Sequence, residues 1–296
     1  MSQHPSHLGS ILLALGAVLV AMASFQSSAS IAEGLFPRIG PSGAAGLRLI
    51  TGAVMLAVVF RPWRNWPSRQ AWRPILVYGA SVGVMNNLFY NALARVPLGL
   101  AVALEFSGPL AVAMAGSRRP IDFLWIALAV GGLVLILRPD QAASRPLDPV
   151  GVGLALAAGA CWAIYIVFGQ RAGGEHGMQG AALGMIIAAL VGGPYGLFVA
   201  GPAALSPPVL LVGAAIGFLG SAFPYCLEMV ALTRLPSRTF GTLMSLEPAA
   251  GAVAGFLMLH QVLSVGQWAA IGAIVAASAG ATATIRPKNP VISTEL

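Results

Sequence analysis

The chain has 296 residues, of which 57% are hydrophobic and 8% charged, and its mean hydropathy is +0.83. A soluble domain carries about 25% charged residues, so this set is too sparse to cover a water-facing surface and predicts an integral membrane protein. The net charge of +7 is that of fifteen arginines and one lysine against nine acidic residues, and apart from Arg48 the basic residues belong to the loops, which excludes the clustered basic face of a nucleic-acid-binding protein.

A bilayer crossing by a helix needs about 20 apolar residues. In chain order the candidate spans are 9–32, 40–60, 74–93, 98–116, 120–137, 149–170, 180–200, 208–230, 237–259 and 264–285, ten in all. The runs are continuous rather than alternating, which argues for helices and against a barrel. The first is preceded by MSQHPSH, without Lys or Arg, so it reads as a retained span rather than a cleaved signal. Cys161 and Cys226 both fall within apolar runs and point to neither a disulfide framework nor a metal site.

Lys and Arg are enriched in cytoplasmic loops. With the N-terminus inside, inner connections hold Arg61, Arg64, Arg69, Arg73, Arg118, Arg119, Arg171, Arg234, Arg238, Arg286 and Lys288, against Arg38, Arg95, Arg138 and Arg145 outside. Both termini are therefore expected in the cytoplasm. The first inner loop, RPWRNWPSRQAWR, adds Trp63, Trp66 and Trp72 as interfacial anchors.

The chain also repeats itself. ALARVPLGLAVALEFSGP at 92–109 aligns with ALTRLPSRTFGTLMSLEP at 231–248, matching Arg95 with Arg234, Pro97 with Pro236 and Pro109 with Pro248. Five spans separate the copies, an odd number, so the second must cross in the opposite sense. Inverted repeats are the build of secondary transporters, whose halves rock around a site near the midplane. Pro109 and Pro248 withhold the N–H that the carbonyls of Glu105 and Met244 would take in a regular helix. Such carbonyls are tolerated at depth beside a cavity or buried in protein, and with Pro224 these prolines are the candidate hinge and cavity positions.

Polar residues at depth complete the picture. Glu105 is alone in its run and needs a partner or a proton. A central charge costs about 2.5–3.5 kcal/mol on insertion scales, and protonating a reference Glu at pH 7 costs about 3.7 kcal/mol. The two are comparable, as proton coupling requires. Glu247, immediately before Pro248, is the second proton-coupling candidate. Arg48 lies eight residues into the second span, about 12 Å deep at helical rise, and is the obvious ionic partner for Glu105. Asn86 and Tyr90, like Asn87 and Asn91, are four apart and make a polar stripe on one helix. Gln26 in the first span and Trp162 and Tyr165 in the sixth extend the set. Glu228 is explained more plainly by pairing with Arg234. The candidate substrate-binding residues are thus Gln26, Arg48, Asn86, Asn87, Tyr90, Trp162 and Tyr165.

The stretches VAMASFQSSAS, VPLGLAVALEFSGPLAVA, SRRPIDF, ACWAIYI, GQRAGGEHG and EMVALTRLPSRTFGTLMSLEP resemble the bacterial threonine/homoserine exporters, an EamA branch of the drug/metabolite transporter superfamily. The resemblance runs from about residue 20 to about 285. It implies an all-α fold of ten transmembrane helices in two inverted five-helix EamA repeats, at 9–137 and 149–285, with an outer linker at 138–148 and a cytoplasmic tail at 286–296. It also implies export of small amino acids from the bacterial inner membrane, driven by protons and without a cofactor. One departure stands out: EamA repeats often carry Gly-Glu between their last two helices, where this chain has His260-Gln261.

Rival classes fare worse. The histidines His4, His7, His176 and His260 lie at ends or loops, no Asp is mid-span, and there is no H-E-x-x-H or Walker A. An intramembrane enzyme or an ATP-driven pump is disfavoured, and an exporter of another small metabolite or drug on the same frame is the closest competitor.

Overall fold

The computed structural model describes residues 7–64, 66–115, 120–137, 147–232, 240 and 243–284. The chain opens with α1 (His7–Glu33) and α2 (Phe36–Phe60). Helix α2 begins four residues earlier than the hydropathy suggests. Pro37 fits its first turn, and Gly40 adopts φ 70°, ψ 165° to let the chain kink ahead of Pro41. A short 3-10 turn, Pro62–Arg64, leads to α3 (Trp72–Leu93). Trp63 and Trp66 are exposed there, and the rings of Trp66 and Trp72 lie 5.3 Å apart.

The next run is two helices, α4 (Leu98–Glu105) and α5 (Ser107–Ala115), followed by α6 (Pro120–Leu137). The break falls at Glu105–Phe106, where Pro109 withholds its N–H from the Glu105 carbonyl. That carbonyl is packed against another helix. It faces Gly159, where an added Cβ would lie 2.5 Å from the oxygen.

Helix α7 (Pro149–Ala200) covers both expected spans at 149–170 and 180–200, yet it is not one rod. A straight helix would set Gly169 and Gly184 about 22 Å apart at 1.5 Å per residue. Both instead approach the ring of Tyr78 so closely that neither has room for an unhindered Cβ, and Tyr165 stacks on the same ring, 5.2 Å between centroids. The chain therefore folds back between them, giving a first limb up to Gly169 and a second limb from Gln179.

A 3-10 turn, Gly201–Leu205, precedes α8 (Pro207–Gly217), a single π turn, Phe218–Ala222, and α9 (Phe223–Leu232). The last described helices are α10 (Glu247–Leu259) and α11 (Val265–Thr284). Among the described residues, five segments are long and apolar enough to cross a membrane: Leu12–Glu33, Phe36–Phe60, Pro149–Gly169, Gln179–Leu205 and Pro207–Glu228. Shorter apolar helices cover Leu98–Val112, Phe123–Ile136, Glu247–Leu259 and Val265–Ala281. Large apolar side chains point outward, Phe198 at 85% and Leu211 at 74% exposure, as lipid contact requires.

Glycine lets the helices approach closely, the usual route to packing where lipid removes any hydrophobic drive. Gly46 of α2 meets Gly196 of the second limb of α7, and Gly99 of α4 meets Ala252 of α10. Gly132 of α6 meets Ala270 and Ile274 of α11. Hydroxyls add cross-helix bonds: Ser24 donates to the Leu219 carbonyl (2.7 Å), Ser28 to Ile216 (2.8 Å) and Thr51 to Gly213 (2.9 Å). The wide π turn and the helix leading into it thus face donors from α1 and α2.

Candidate functional site

The bundle encloses a cavity of about 480 Å³. Helix α1 contributes Phe25 and Gln26, α2 Arg48, and α3 Asn86; α4 ends in it with Glu105 and α5 begins in it with Pro109. The first limb of α7 supplies Trp162 and Tyr165, α9 supplies Tyr225 and Glu228, α10 starts with Glu247, and α11 adds Ser278. Phe240 and Met244, just ahead of α10, complete this side. Eight of the residues singled out in the sequence, on seven helices, thus share one chamber.

Their local folding explains the convergence. Glu105 is the last residue of α4 and Glu247 the first of α10, so each carboxylate sits at a helix break made by the proline that follows it. Both are buried, at 6% exposure. One carboxylate oxygen of Glu247, Oε2, is buried without a hydrogen-bond partner. Gln26 and Asn86 are also buried, and Asn86 donates from Nδ2 to the Val82 carbonyl of its own helix (2.9 Å).

Arg48 is held differently from the expectation. Its guanidinium donates from Nη2 to the Gly220 carbonyl in the π turn (2.5 Å) and from Nη1 to the Tyr90 hydroxyl at 3.4 Å. It packs over the rings of Phe25 and Tyr90, 5.9 and 5.7 Å from their centroids, while Nε is buried and unpartnered. No ion pair joins Arg48 to Glu105, the plain structural alternative to a proton-coupling role for that carboxylate. Among the described residues the ion pair is Arg95–Asp148 at 2.8 Å. The carbonyl exposed by the π turn takes the place that a carboxylate would have filled, a turn that hydropathy alone does not reveal.

Other residues of the polar stripe fall outside the chamber. Tyr90 is fully buried behind Arg48. Asn87 reaches from α3 to the Gly192 carbonyl of α7 (3.5 Å) as well as to Gly83 (3.4 Å), and Asn91 donates to Ser42 Oγ (2.8 Å) and to the Asn87 carbonyl (2.7 Å). On a helix of 3.6 residues per turn, neighbours in sequence point about 100° apart, so Asn86 faces the chamber while Asn87 faces α7. Pro224 and Pro248 are buried without lining the cavity. Glu228 does line it, and the partner expected for it, Arg234, lies outside the described residues.

The departure at His260-Gln261 has a local role. His260 ends α10 with φ 54°, and Gln261 Oε1 accepts the backbone N–H of Leu98, the first residue of α4, at 2.8 Å. The acceptor that an acid would offer at this position is kept without its charge.

A chamber bearing charges of both signs inside an apolar, polytopic helix bundle is the build of a membrane transporter. The model of the EamA-like transporter family matches residues 149–283. The threonine/homoserine exporter RhtA of Escherichia coli (strain K12) is 52% identical over 274 residues, 93% of this chain and 92% of its own length. RhtA of Salmonella typhimurium (strain LT2) is 52% identical over 269 residues, 91% of each. The uncharacterized transporter YwfM of Bacillus subtilis (strain 168) is 26% identical over 273 residues, 86% of this chain and 88% of its own. The chain belongs to the EamA-like transporter family of the drug/metabolite transporter superfamily, and it is a transporter rather than an enzyme. A solved crystal structure, 20% identical, shares the fold with a TM-score of 0.58 over 93% of this chain and 98% of that one.

Proposed function

We propose that the protein is a secondary active exporter of small neutral amino acids of the threonine/homoserine kind. It works by alternating access in the bacterial inner membrane, exchanges substrate for protons, and keeps both termini in the cytoplasm. The observation that carries this reading is the pairing, in one cavity, of a guanidinium with free donor capacity and buried carboxylates not paired with it. A zwitterion presents the complementary charges. Arg48 receives the substrate carboxylate, since two hydrogen bonds leave most of its five N–H donors available. Glu247 or Glu105 receives the ammonium, and Gln26 and Asn86 the side-chain hydroxyl.

The names of the RhtA relatives support the substrate class. Two inverted five-helix repeats are supported by the way the halves pair. In that scheme α2 packs on the second limb of α7, α4 on α10, and α6 on α11, each helix meeting its own counterpart. Helix breaks at Glu105–Phe106, at 245–246 and in the π turn border the chamber, and they supply the deformable points that rocking needs.

A second reading, export of a bulkier metabolite or drug, is favoured by one feature. The wall formed by Phe106 and Trp162, edge to face at 5.7 Å, with Val112 and Ile166, is more apolar than a hydroxy amino acid requires. Efflux of labelled homoserine from proteoliposomes, with and without an imposed proton gradient, decides between them. Gradient-stimulated efflux that falls at least tenfold in Arg48→Ala supports the amino-acid exporter. Efflux no faster than from empty liposomes, in folded protein, overturns it.

A further inference from the structure

Glu228 is the one charged chamber residue that the proposed function leaves unused. It lines the cavity one turn beyond Tyr225 on α9, so the two side chains share a helix face. Tyr225 lines the same end of the chamber as Tyr165 of α7, whose ring packs on Tyr78 of α3 at 5.2 Å. The charged and titratable groups that line the cavity with Glu228 are Arg48 on α2, Glu105 on α4, Tyr165 on α7, Tyr225 on α9 and Glu247 on α10, with Tyr78 on α3 packed on Tyr165.

Arg48 does not neutralise Glu228. Its guanidinium is turned to the Gly220 carbonyl and the Tyr90 hydroxyl. Phe25 carries Arg48 over its ring and meets Tyr225 edge-on at 6.3 Å. Glu247 lines the same cavity as Glu228 and Glu105, and its Oε2 is buried without a hydrogen-bond partner. Like charges that line one cavity within a bundle disfavour one another's ionisation.

We propose that Glu228 is a third carboxylate of the transport site and shares with Glu247 a proton that the substrate's ammonium displaces. This rests on the amino-acid reading above and adds to it a residue and a place of exchange. In the empty chamber one proton bridges the Glu228 and Glu247 side of the site. When a zwitterion docks its carboxylate on Arg48, its ammonium takes the bridging position, and the proton leaves toward the tyrosine end. At the carboxylates one monocation replaces another, and Arg48 meets the substrate carboxylate; the zwitterion enters as a neutral species, so the chamber gives up one positive charge with the released proton.

Calorimetry of homoserine binding in two buffers of different ionisation enthalpy counts protons released per substrate. Wild-type protein is expected to release close to one, Glu228→Gln to release less than half of that and to bind at least tenfold more weakly, and Glu228→Asp to recover part of both. Infrared difference spectra recorded across a pH titration without substrate provide a second readout, in which Glu228→Gln is expected to lose part of the protonated-carboxyl band. Should Glu228→Gln fold poorly, Tyr225→Phe, which keeps the carboxylate and removes its hydroxyl neighbour, is expected to shift that band. Glu228→Gln with wild-type affinity and proton count overturns the inference and leaves the exporter standing. A wild type that binds no homoserine overturns the substrate class instead, and an unchanged infrared titration in Glu228→Gln then overturns the role of Glu228.

Discussion

Gly108 and Gly159 meet backbone to backbone where α5 crosses the first limb of α7. A Cβ on Gly108 would run into the Gly159 carbonyl, and one on Gly159 would lie 2.5 Å from the Glu105 carbonyl that Pro109 sets free. The proline break and the glycine contact are one device: the crossing covers the unpaired carbonyl, and the same contact fixes where α4 ends and Glu105 enters the chamber.

Gly159→Ala is therefore expected to destabilise the protein by about 1–3 kcal/mol, the range for overpacking a close contact, and to weaken substrate binding by displacing Glu105. Gly153, six residues earlier in the same helix, has open space around it. Gly153→Ala should be neutral or stabilising by up to about 1 kcal/mol, through helix propensity. Thermal unfolding of both variants in detergent checks this, and equal shifts would contradict the crossing.

Gln261 reaches across from the end of α10 to cap α4 at Leu98. Gln261→Ala leaves that N–H without its partner and should cost about 1 kcal/mol, as loss of a cap does. Gln261→Glu keeps an acceptor, and its charge lies at the favourable end of the helix dipole, so its unfolding midpoint should equal or exceed that of the wild type. A Glu variant as damaged as the Ala variant would show that charge, not hydrogen bonding, governs the position.

Much of this is legible in the sequence. Hydropathy found the apolar runs because lipid allows few alternatives to a helix, and the proline at 109 marked the break after Glu105. The legible part stops where direction depends on packing. In AAIGFLGSAFP, Pro224 withholds the N–H that the Gly220 carbonyl would take in a regular helix, but nothing in the stretch tells that Arg48 reaches that carbonyl. The spacing of Asn86 and Asn87 does not tell which of two adjacent asparagines faces the chamber. Sequence assigns Glu228 to Arg234, six residues on, and its place on the chamber wall with Tyr225 follows only from how α9 packs.

At the other end of the molecule, Asp148 caps α7 through the Val150 N–H and pairs with Arg95, each at 2.8 Å. The hydrogen bond from Arg95, and next the Val150 N–H, hold its carboxyl below the ordinary value of 3.8. The folded form thus favours the ionised carboxylate. The stabilisation is present above pH 3.8 and is lost as pH falls through the depressed folded value. Asp148→Ala is expected to lower the unfolding midpoint at pH 7, with the difference from wild type shrinking below about pH 4 and weakening with added salt. A difference independent of pH would leave only the cap.

Asn86 and Asn87 separate binding from architecture. Asn86 faces the chamber, with its amide tied only to its own helix at Val82, so Asn86→Ala should weaken homoserine binding several-fold and leave the unfolding midpoint nearly unchanged. Asn87 ties α3 to α7 at Gly192, with its Oδ1 buried and unpartnered. Replacing it removes both the long bond and an unsatisfied acceptor, effects of opposite sign that are each about 1 kcal/mol. Asn87→Ala should accordingly leave affinity within about twofold, and any effect should appear in stability. Saturation binding and thermal unfolding on the two variants test the assignment. A large affinity loss in Asn87→Ala with none in Asn86→Ala would mean that α3 presents its other face to the substrate.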